Sequence, residues 1–333
     1  MNRKTNETPL MQVRKLAVSY AVRSNAGRRH QQLFAVRNVS FDLHAGRIFG
    51  LVGESGCGKT SLARALLRLT EPASGDVFYQ AREMGDMDAA SLRKARRDMQ
   101  YLFQDPIASL SPRRTLWQTL VEPLLLYRIG QRVEQRERIE QTLRIVELHP
   151  DLVSHFPHEL SGGQLQRFAL ARALLAQPRL IIADEPMSSL DVSLQARMIS
   201  LIRKVQQDLG VAFLLISHDL AVIRQLADDI GVMYLGELVE ISPRRELFSN
   251  PAHPYTRALL DAHSGRFHPG GQKRDALVGE APSALTPPPG CVFHTRCASV
   301  MERCRAQSPE ETRITRSGPG HAHHTVRCHL WNT

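Results

Sequence analysis

The sequence contains no apolar run long enough to cross a membrane. Its longest apolar stretches have the length of a strand, such as VAFLLI at residues 211–216, whereas a transmembrane helix needs about 20 apolar residues. Residues 1–7 carry charge but no apolar segment follows them, so they lack the pattern of a secretory signal. The 333 residues, 42% of them hydrophobic, suffice for one large α/β domain with a small appendage. We therefore expect a soluble protein that stays in the cytoplasm.

Acidic residues are in the minority, with 33 Asp and Glu against 43 Lys and Arg, and the net charge is +10. Aromatic residues are also scarce, at 6% of the chain, and are not interleaved with the basic residues. Because single-stranded nucleic acids bind surfaces that combine aromatic and basic side chains, we expect no nucleic-acid partner. The positive charge instead suits either a solvated surface or contact with the anionic cytoplasmic face of a membrane.

Cysteine is nearly absent before residue 291, where only Cys57 occurs. Four thiolates can hold an iron-sulfur cluster or a tetrahedral zinc ion, and a cytoplasmic location disfavours disulfides. The spacing of the later cysteines, C-x5-C-x6-C-x23-C, is wider than the C-x2-C pairs of zinc ribbons. Free thiols and a mixed Cys/His site remain alternatives. The residues concerned are Cys291, Cys297, Cys304 and Cys328, with His294, His321, His323, His324 and His329 nearby.

Glycine, by contrast, is concentrated in a loop that fits a nucleotide phosphate chain. Its glycines let consecutive backbone N–H groups turn inward around phosphates, Lys59 adds a positive charge, and the Thr60 hydroxyl is placed to ligate Mg²⁺. Cys57 occupies a position where any small side chain suffices, and we assign it no catalytic role. The loop comprises Gly53, Glu54, Ser55, Gly56, Cys57, Gly58, Lys59, Thr60 and Ser61.

A second glycine-rich motif follows about a hundred residues later, at Leu160-Ser161-Gly162-Gly163-Gln164. It opens a predicted helix, so its N–H groups form a second set of donors for a phosphate. Two phosphate-binding elements in one chain suggest a shared site.

Two carboxylates end the apolar stretch at residues 180–183. Asp184 can hold the magnesium sphere, and Glu185 can polarise a water for attack on a γ-phosphate. The alternative is that both are helix-capping acids at a strand end.

Alternation of strands and helices predicts a mostly parallel sheet. A helical region over 115–157 interrupts this alternation and suggests an inserted helical subdomain. The predicted strands are 11–20, 33–43, 48–52, 99–103, 180–183 and 213–216, and the predicted helices are 59–69 and 192–209.

The motifs, in this order, resemble those of the ATP-binding subunit of an ABC transporter. The resemblance implies that Gln104 senses Mg²⁺ and the γ-phosphate, that His218 contacts the γ-phosphate, and that Gln104, Glu185 and His218 are the catalytic residues. It also implies that Tyr20 stacks on adenine and that residues 188–191 (SSLD) cross a dimer interface, with Ser where many relatives carry Ala.

The implied fold is a P-loop α/β nucleotide-binding domain over 1–262 with a mostly parallel core sheet, an antiparallel β subdomain and a helical subdomain at about 105–165. Residues 263–333 would form a small Cys-rich extension, for which a [4Fe-4S] cluster, or alternatively Zn²⁺, is implied. Gln104 joins Thr60 and Asp184 as an implied Mg²⁺ ligand.

The resemblance also implies partners. A second ABC ATPase subunit, identical or different, would meet this one head to tail, so that Ser161 and Gly163 of one face the loop around Lys59 of the other. ATP would hold the two together until hydrolysis. The segment 105–114 would transmit closure to two membrane permease subunits, which receive cargo from a solute-binding protein. The chain would then sit peripherally on the cytoplasmic face of the inner membrane.

Three segments resemble the importers of dipeptides and oligopeptides in particular: FQDPIASLSPR at 103–113, PYTRALL at 254–260, and the tail from 279 to 291. Importers of nickel, opine-type metallophores and glutathione share this architecture and remain alternatives. ABC ATPases that act on DNA, chromosomes or ribosomes are a more distant class, since they usually carry coiled-coil or zinc-finger insertions or two ATPase units. A regulatory ATPase whose tail senses iron or redox state is a third possibility.

Overall fold

The structure is a computed structural model, which describes residues 8–23, 30–107, 110–188, 190–264, 279–314 and 324–331. The chain divides into two compact units. The first unit comprises residues 1–10, 43–48 and 79–217, and the second comprises 11–42, 49–78 and 218–333.

The strands are β1 (Met11–Arg23), β2 (His30–Leu43), β3 (Ile48–Val52), β4 (Ser74–Tyr79), β5 (Arg82–Glu83), β6 (Met99–Leu102), β7 (Leu180–Asp184), β8 (Ala212–Ile216), β9 (Asp229–Tyr234), β10 (Glu237–Pro243), β11 (Glu311–Arg313) and β12 (Thr325–Arg327). The α-helices are α1 (Lys59–Leu66), α2 (Ala89–Asp98), α3 (Leu116–Leu126), α4 (Arg132–Ile145), α5 (Gly162–Leu175), α6 (Val192–Leu209), α7 (Leu220–Leu226), α8 (Arg244–Ser249), α9 (Pro254–Ser264) and α10 (Glu302–Ala306). In the parts of the chain described, none of the helices combines the length and the apolar character needed to cross a bilayer.

The first unit contains the parallel strands β6, β7 and β8, which confirms the parallel pairing predicted from strand-helix alternation. Strands β7 and β8 are buried along their whole length, as uninterrupted apolar runs predict. In the register, Leu102 lies beside Ala183, and Asp184 lies beside Ile216. The carboxyl ends of β6 and β7 therefore meet, which brings the residues that follow them into one region.

The predicted helical region 115–157 is confirmed as α3 and α4 followed by short 3₁₀ turns. Gly130, with φ of +66°, lies in the turn between the two helices. Pro150 and Pro157 begin the 3₁₀ turns, because proline fits a first helical position but cannot continue an α-helix.

The second unit contains two sets of strands. One is the run β2-β1-β4. The other is β11-β12-β10-β9-β3, in which β3 and β9 are parallel and the remaining neighbours are antiparallel. Glu240 of β10 pairs with Val326 of β12, so the tail after residue 279 continues the sheet of the strands that precede it.

Predicted and observed elements agree best where an apolar segment has clear ends. Strand 48–52 and helix 192–209 have the predicted bounds. Helix α1 is shorter than predicted and ends at Leu66, because Arg68 adopts a left-handed conformation with φ of +54°. Strand β1 runs three residues beyond Tyr20. The boundary predicted at residues 262–263 stays a prediction.

Candidate functional site

The glycine loop leaves β3 and enters α1 by a path that only glycine allows at two positions. Gly53 has φ of +155°, and a Cβ there would lie 2.1 Å from the carbonyl oxygen of Met233. Gly58 has φ of +106°, and its Cβ would lie 2.0 Å from the carbonyl oxygen of Ala35. Both neighbours are backbone atoms and cannot turn away, so the loop is packed closely on each side.

Lys59, the first residue of α1, is buried although it is charged, with 6% of its surface exposed. Its Nζ donates to the carbonyl oxygens of Gly53 (2.8 Å) and Glu54 (2.9 Å) and lies 3.7 Å from Sγ of Cys57. Burial raises the pKa of the Cys57 thiol, opposed by the Lys59 charge. No side chain caps α1, so the first-turn N–H groups and the ammonium group together favour an anion.

Glu54 is held by residues far away in the sequence. Its backbone N–H donates to the hydroxyl of Tyr255 (3.0 Å). Its carboxylate forms a bidentate ion pair with the Arg296 guanidinium. Nη1 donates to Oε2 at 2.8 Å, and Nη2 donates to Oε1 at 3.0 Å. Sequence reasoning missed both partners: Tyr255 was noted only as part of a subfamily motif, and Arg296 carries no local signal.

In the first unit, three predicted catalytic or metal-binding residues lie together. Tyr101 donates to Oδ2 of Asp184 (2.7 Å), and Asp184 is 3% exposed. Oδ1 of Asp184 is buried and has no hydrogen-bond partner among the described residues. The amide of Gln104 donates to Oε2 of Glu185 at 3.3 Å. A buried acceptor beside a half-exposed carboxylate is a donor set that fits a divalent cation and a water.

The backbone of Glu185 is in the left-handed region, with φ of +49°, directly after β7. Its N–H donates to the carbonyl oxygen of Ile216 (3.0 Å), and its carbonyl oxygen accepts from the Ser188 backbone N–H and hydroxyl. A non-glycine residue in this region costs about 1–3 kcal/mol and is maintained only by such surrounding contacts.

The second glycine motif caps α5. Oγ of Ser161 accepts from the Gln164 N–H (3.4 Å), and Oε1 of Gln164 accepts from the Ser161 N–H (2.9 Å), which is a capping box. Ser161 and Gly162 are exposed, and a Cβ on Gly162 would meet nothing within 4 Å. Gly163 is buried, and its Cβ would lie 3.0 Å from Cδ2 of Leu194. This end of α5 therefore presents an open surface.

The other predicted nucleotide residues lie on strand ends and loops. Tyr20 is half-buried in β1, and His218 is exposed in the loop between β8 and α7. Asp191 is the N-cap residue of α6 and accepts from the N–H groups of Ser193 and Leu194. The Leu194 hydrogen bond in particular lowers the pKa of Asp191. Ser189, within the predicted interface segment, lies outside the described residues.

The four late cysteines are near one another and are not disulfide-bonded. Cys291, Cys304 and Cys328 are buried, whereas Cys297 is half-buried. The Cys291 N–H donates to the Cys304 carbonyl oxygen at 2.8 Å. Burial, with smaller contributions from the other three thiols, raises the pKa of Cys291 to about 12. Within the described ranges, however, no group of three or more His, Cys, Asp or Glu side chains is arranged to hold a metal ion.

The histidines of this region have other partners. Nε2 of His324 lies 2.9 Å from Oε1 of Glu240, a buried carboxylate. Nε2 of His329 lies 2.8 Å from the Gln307 carbonyl oxygen, and Nδ1 of His294 lies 2.9 Å from that of Cys291. His321 and His323 lie outside the described residues.

Comparison with known families matches two parts of the chain. Residues 36–188 match the ABC transporter family, and residues 239–304 match the C-terminal region of oligopeptide/dipeptide transporters.

Similar proteins cover almost the whole chain. The oligopeptide transport ATP-binding protein AppF of Bacillus subtilis is 42% identical over 98% of this chain and 99% of its own length. The di/tripeptide transport ATP-binding protein DppF of Pseudomonas aeruginosa is 46% identical, over 90% of this chain and 93% of its own length.

Solved structures share the fold. A dimeric ATP-binding cassette in a post-hydrolysis state, bound to ADP and Pi, has a TM-score of 0.63 at 28% identity, covering 71% of this chain and 99% of that one. The cbiO1 protein of Clostridium perfringens has a TM-score of 0.63 at 22% identity, covering 78% and 98%.

Proposed function

Because this chain belongs to the ATP-binding proteins of ABC transporters, we propose that it hydrolyses ATP to power the import of dipeptides or oligopeptides. The observation that carries the peptide assignment is the match of residues 239–304 to the C-terminal region of oligopeptide/dipeptide transporters. Relatives named for oligopeptide and di/tripeptide transport, 42% and 46% identical to this chain, support it.

Residues 53–61 bind the phosphates of ATP in this proposal. Two observations support this. Gly53 and Gly58 pack closely against backbone atoms, which restricts the conformation of the loop, and the ammonium group of Lys59 is buried. Lys59 has three donors, so it can bind a phosphate oxygen in addition to, or in place of, the two carbonyl oxygens it now contacts. Tyr20 stacks on the adenine.

Thr60, Gln104 and Asp184 are the proposed ligands of Mg²⁺. The unpartnered buried Oδ1 of Asp184 supports this, because a buried carboxylate oxygen needs a donor or a cation. When bound, the ion neutralises charge on the β- and γ-phosphates.

Glu185 polarises the attacking water in this proposal. Its half-buried carboxylate follows β7 and accepts from the Gln104 amide, which keeps one oxygen oriented. His218 contacts the γ-phosphate. The proton of the water passes to the Glu185 carboxylate as the bond from the water oxygen to the γ-phosphorus forms. The bond between the γ-phosphorus and the bridging oxygen of the leaving ADP breaks, which gives ADP and phosphate.

A second ATPase subunit completes the catalytic unit. Ser161 and Gly163 at the start of α5, with Gly162 between them, supply hydroxyl and N–H groups to the nucleotide of that partner. Ser161 and Gly162 are exposed, and Gly163 is buried. Residues 105–114 contact two permease subunits, which receive peptide from a solute-binding protein, and the chain is peripheral on the cytoplasmic face of the membrane.

The test is Glu185→Gln in the assembled transporter. This variant should bind ATP with unchanged affinity and lose at least about a hundredfold in ATP turnover, since a general base contributes that much. Glu137→Gln, on the exposed face of α4, is the control and should hydrolyse ATP like the parent. Undiminished turnover by Glu185→Gln would refute the assigned role.

We also propose that Cys291, Cys297, Cys304 and Cys328 hold a [4Fe-4S] cluster, with Zn²⁺ as the alternative, in a structural role. Support comes from the donor set and the burial of three of the four thiols, not from geometry, because the described side chains form no metal-holding group. The thiols would have to lose their protons and move together on binding. Anaerobic purification with iron, sulfide and zinc analysis tests this: a protein free of all three would refute both forms of the proposal.

A further inference from the structure

The glycine loop contains an acidic residue, although its proposed ligand is a polyanion. Glu54 directly follows Gly53. The Lys59 ammonium group donates a hydrogen bond to the carbonyl oxygen of each of these two residues. An ionised carboxylate in this loop repels a triphosphate unless its charge is compensated. The structure shows what compensates it.

Arg296 neutralises Glu54 through a two-pronged ion pair between side chains of low exposure. The guanidinium is 6% exposed and the carboxylate 26%. A bidentate ion pair of this kind favours a single orientation of the carboxylate, because both N–H···O bonds must form in one plane.

Arg296 is itself fixed by aromatic packing. It ends a 3₁₀ turn, residues 294–296, between Cys291 and Cys297. Phe293, 2% exposed, precedes this turn and packs edge-on against Tyr234, with ring centroids 5.2 Å apart. The Arg296 guanidinium lies 5.8 Å from the Tyr234 ring centroid, and its Nη1 donates to the Tyr234 hydroxyl at 3.3 Å.

The same aromatic group also holds the backbone of Glu54. The Tyr255 ring lies 4.7 Å from that of Tyr234 and 5.4 Å from that of Phe293, and its hydroxyl accepts the Glu54 N–H. Both the carboxylate and the amide of Glu54 are therefore positioned by residues at 234–296, remote from the loop in sequence.

We propose that Arg296 is a positioning residue for ATP binding: it holds and neutralises Glu54, so that the cysteine-containing extension sets the affinity of the phosphate loop for ATP. This inference rests on the proposed assignment of residues 53–61 as the phosphate site. It extends that assignment by making the extension part of the nucleotide site and not only an appendage.

Substitutions of Arg296 and of Glu54 should therefore change the Kd for ATP differently. Arg296→Gln leaves an uncompensated carboxylate in the loop and should raise the Kd for ATP about tenfold, a typical size for coupling between sites. Glu54→Gln removes the repelling charge, so its Kd should lie well below that of Arg296→Gln. The double variant should bind like Glu54→Gln, because the carboxylate is then absent.

The experiment is titration calorimetry of the purified full chain with MgATP, at low and at high salt. The Arg296→Gln defect should shrink at high salt, since screening weakens the repulsion. Arg296→Lys keeps the charge and should bind ATP more tightly than Arg296→Gln. Arg303→Gln is the matched control, because Arg303 donates to the His329 carbonyl oxygen within the extension, and it should keep the parental Kd.

Each contrary result has a defined meaning. A parental Kd for Arg296→Gln, or a double variant as weak as Arg296→Gln, overturns the inference. An equal defect in Arg303→Gln also overturns it, by showing that general damage to the extension is the cause. Lys59→Ala separates failure of the inference about Arg296 from failure of the proposed phosphate site. Unchanged ATP binding by Lys59→Ala would refute the phosphate site itself.

Discussion

Among single residues, the glycines of the two phosphate-binding motifs differ in how far their positions require glycine. Gly58 has φ of +106°, and a Cβ there would lie 2.0 Å from a backbone carbonyl oxygen, whereas Gly162 has an ordinary backbone conformation and open space where a Cβ would lie. Spacing identified both as parts of phosphate-binding motifs. Only the packing against Ala35 distinguishes the position that cannot change from the position that can.

Gly58→Ala should therefore destabilise the protein and abolish ATP binding, because the strained backbone costs about 1–3 kcal/mol and the clash with Ala35 adds to it. Gly162→Ala should leave the melting temperature and single-chain ATP binding unchanged. Since Gly162 is proposed to face a partner subunit, this variant should lower turnover in the assembled transporter. Thermal unfolding and ATPase assays measure both, and equal melting temperatures for the two variants would contradict this account of Gly58.

At the scale of elements, the start of α9 is built around a buried histidine. His253 is 1% exposed, and its Nδ1 accepts the Tyr255 N–H at 3.0 Å. Burial lowers its pKa from 6.5 to about 4. The neighbouring carboxylate of Glu240 accepts from the N–H groups of Ala252 and His253, both at 2.8 Å. Burial opposes ionisation of Glu240, but its hydrogen bonds, led by that from His324, lower its pKa overall.

The free energy of unfolding should fall as the pH drops from about 6.5 towards 4. The unfolded chain protonates His253 near pH 6.5 and the folded protein only near pH 4, so the unfolded state binds more protons between these values. The loss amounts to at most about 3 kcal/mol. Stability from Glu240 is lost at lower pH, as its carboxylate becomes protonated.

His253→Asn is the matched variant, because a side-chain oxygen can replace Nδ1 as the acceptor for the Tyr255 N–H. Calorimetric melting temperatures between pH 7.5 and pH 4.5 should fall less steeply for this variant than for the parent. Parallel profiles would show that His253 does not control the pH dependence.

At the scale of the whole molecule, the tail is anchored in the second unit. Val326 pairs with Glu240 of β10 and packs with Ala252, Ile314 and Cys328, and Trp331 donates its ring N–H to the Ala252 carbonyl oxygen. The tail contributes only a few apolar side chains to this cluster. The structure packs Ile314, Val326 and Cys328 with Ala252, which lies between α8 and α9, and pairs β12 with β10.

Val326→Asp should release β11 and β12 from β10, because it buries an unpaired carboxylate at a position that is 1% exposed. Limited proteolysis should then cut within residues 279–331, and the melting temperature should fall. Leu330→Asp changes a residue that is 39% exposed and should alter neither. A tail equally resistant in Val326→Asp and the parent would contradict the anchoring.

The chemistry of the local motifs could be predicted from the sequence. A phosphate loop needs consecutive N–H groups, glycines at set positions and a lysine. Asp184 at the end of β7 and Glu185 directly after it place two acids at a sheet edge. Both features depend on a spacing of a few residues, which the sequence shows directly. The bounds of β3 and α6 followed for the same reason.

Which distant residues contact that loop depends on how the chain folds. The ion pair between Glu54 and Arg296 joins positions 242 residues apart, and the pairing of β12 with β10 adds three-residue strands to a sheet edge. Neither has a local signature, because an ion pair needs only two common residue types and a short edge strand has too few residues to show a period. Their partners are chosen by the packing of Phe293, Tyr234 and Tyr255, which exists only once the chain has folded.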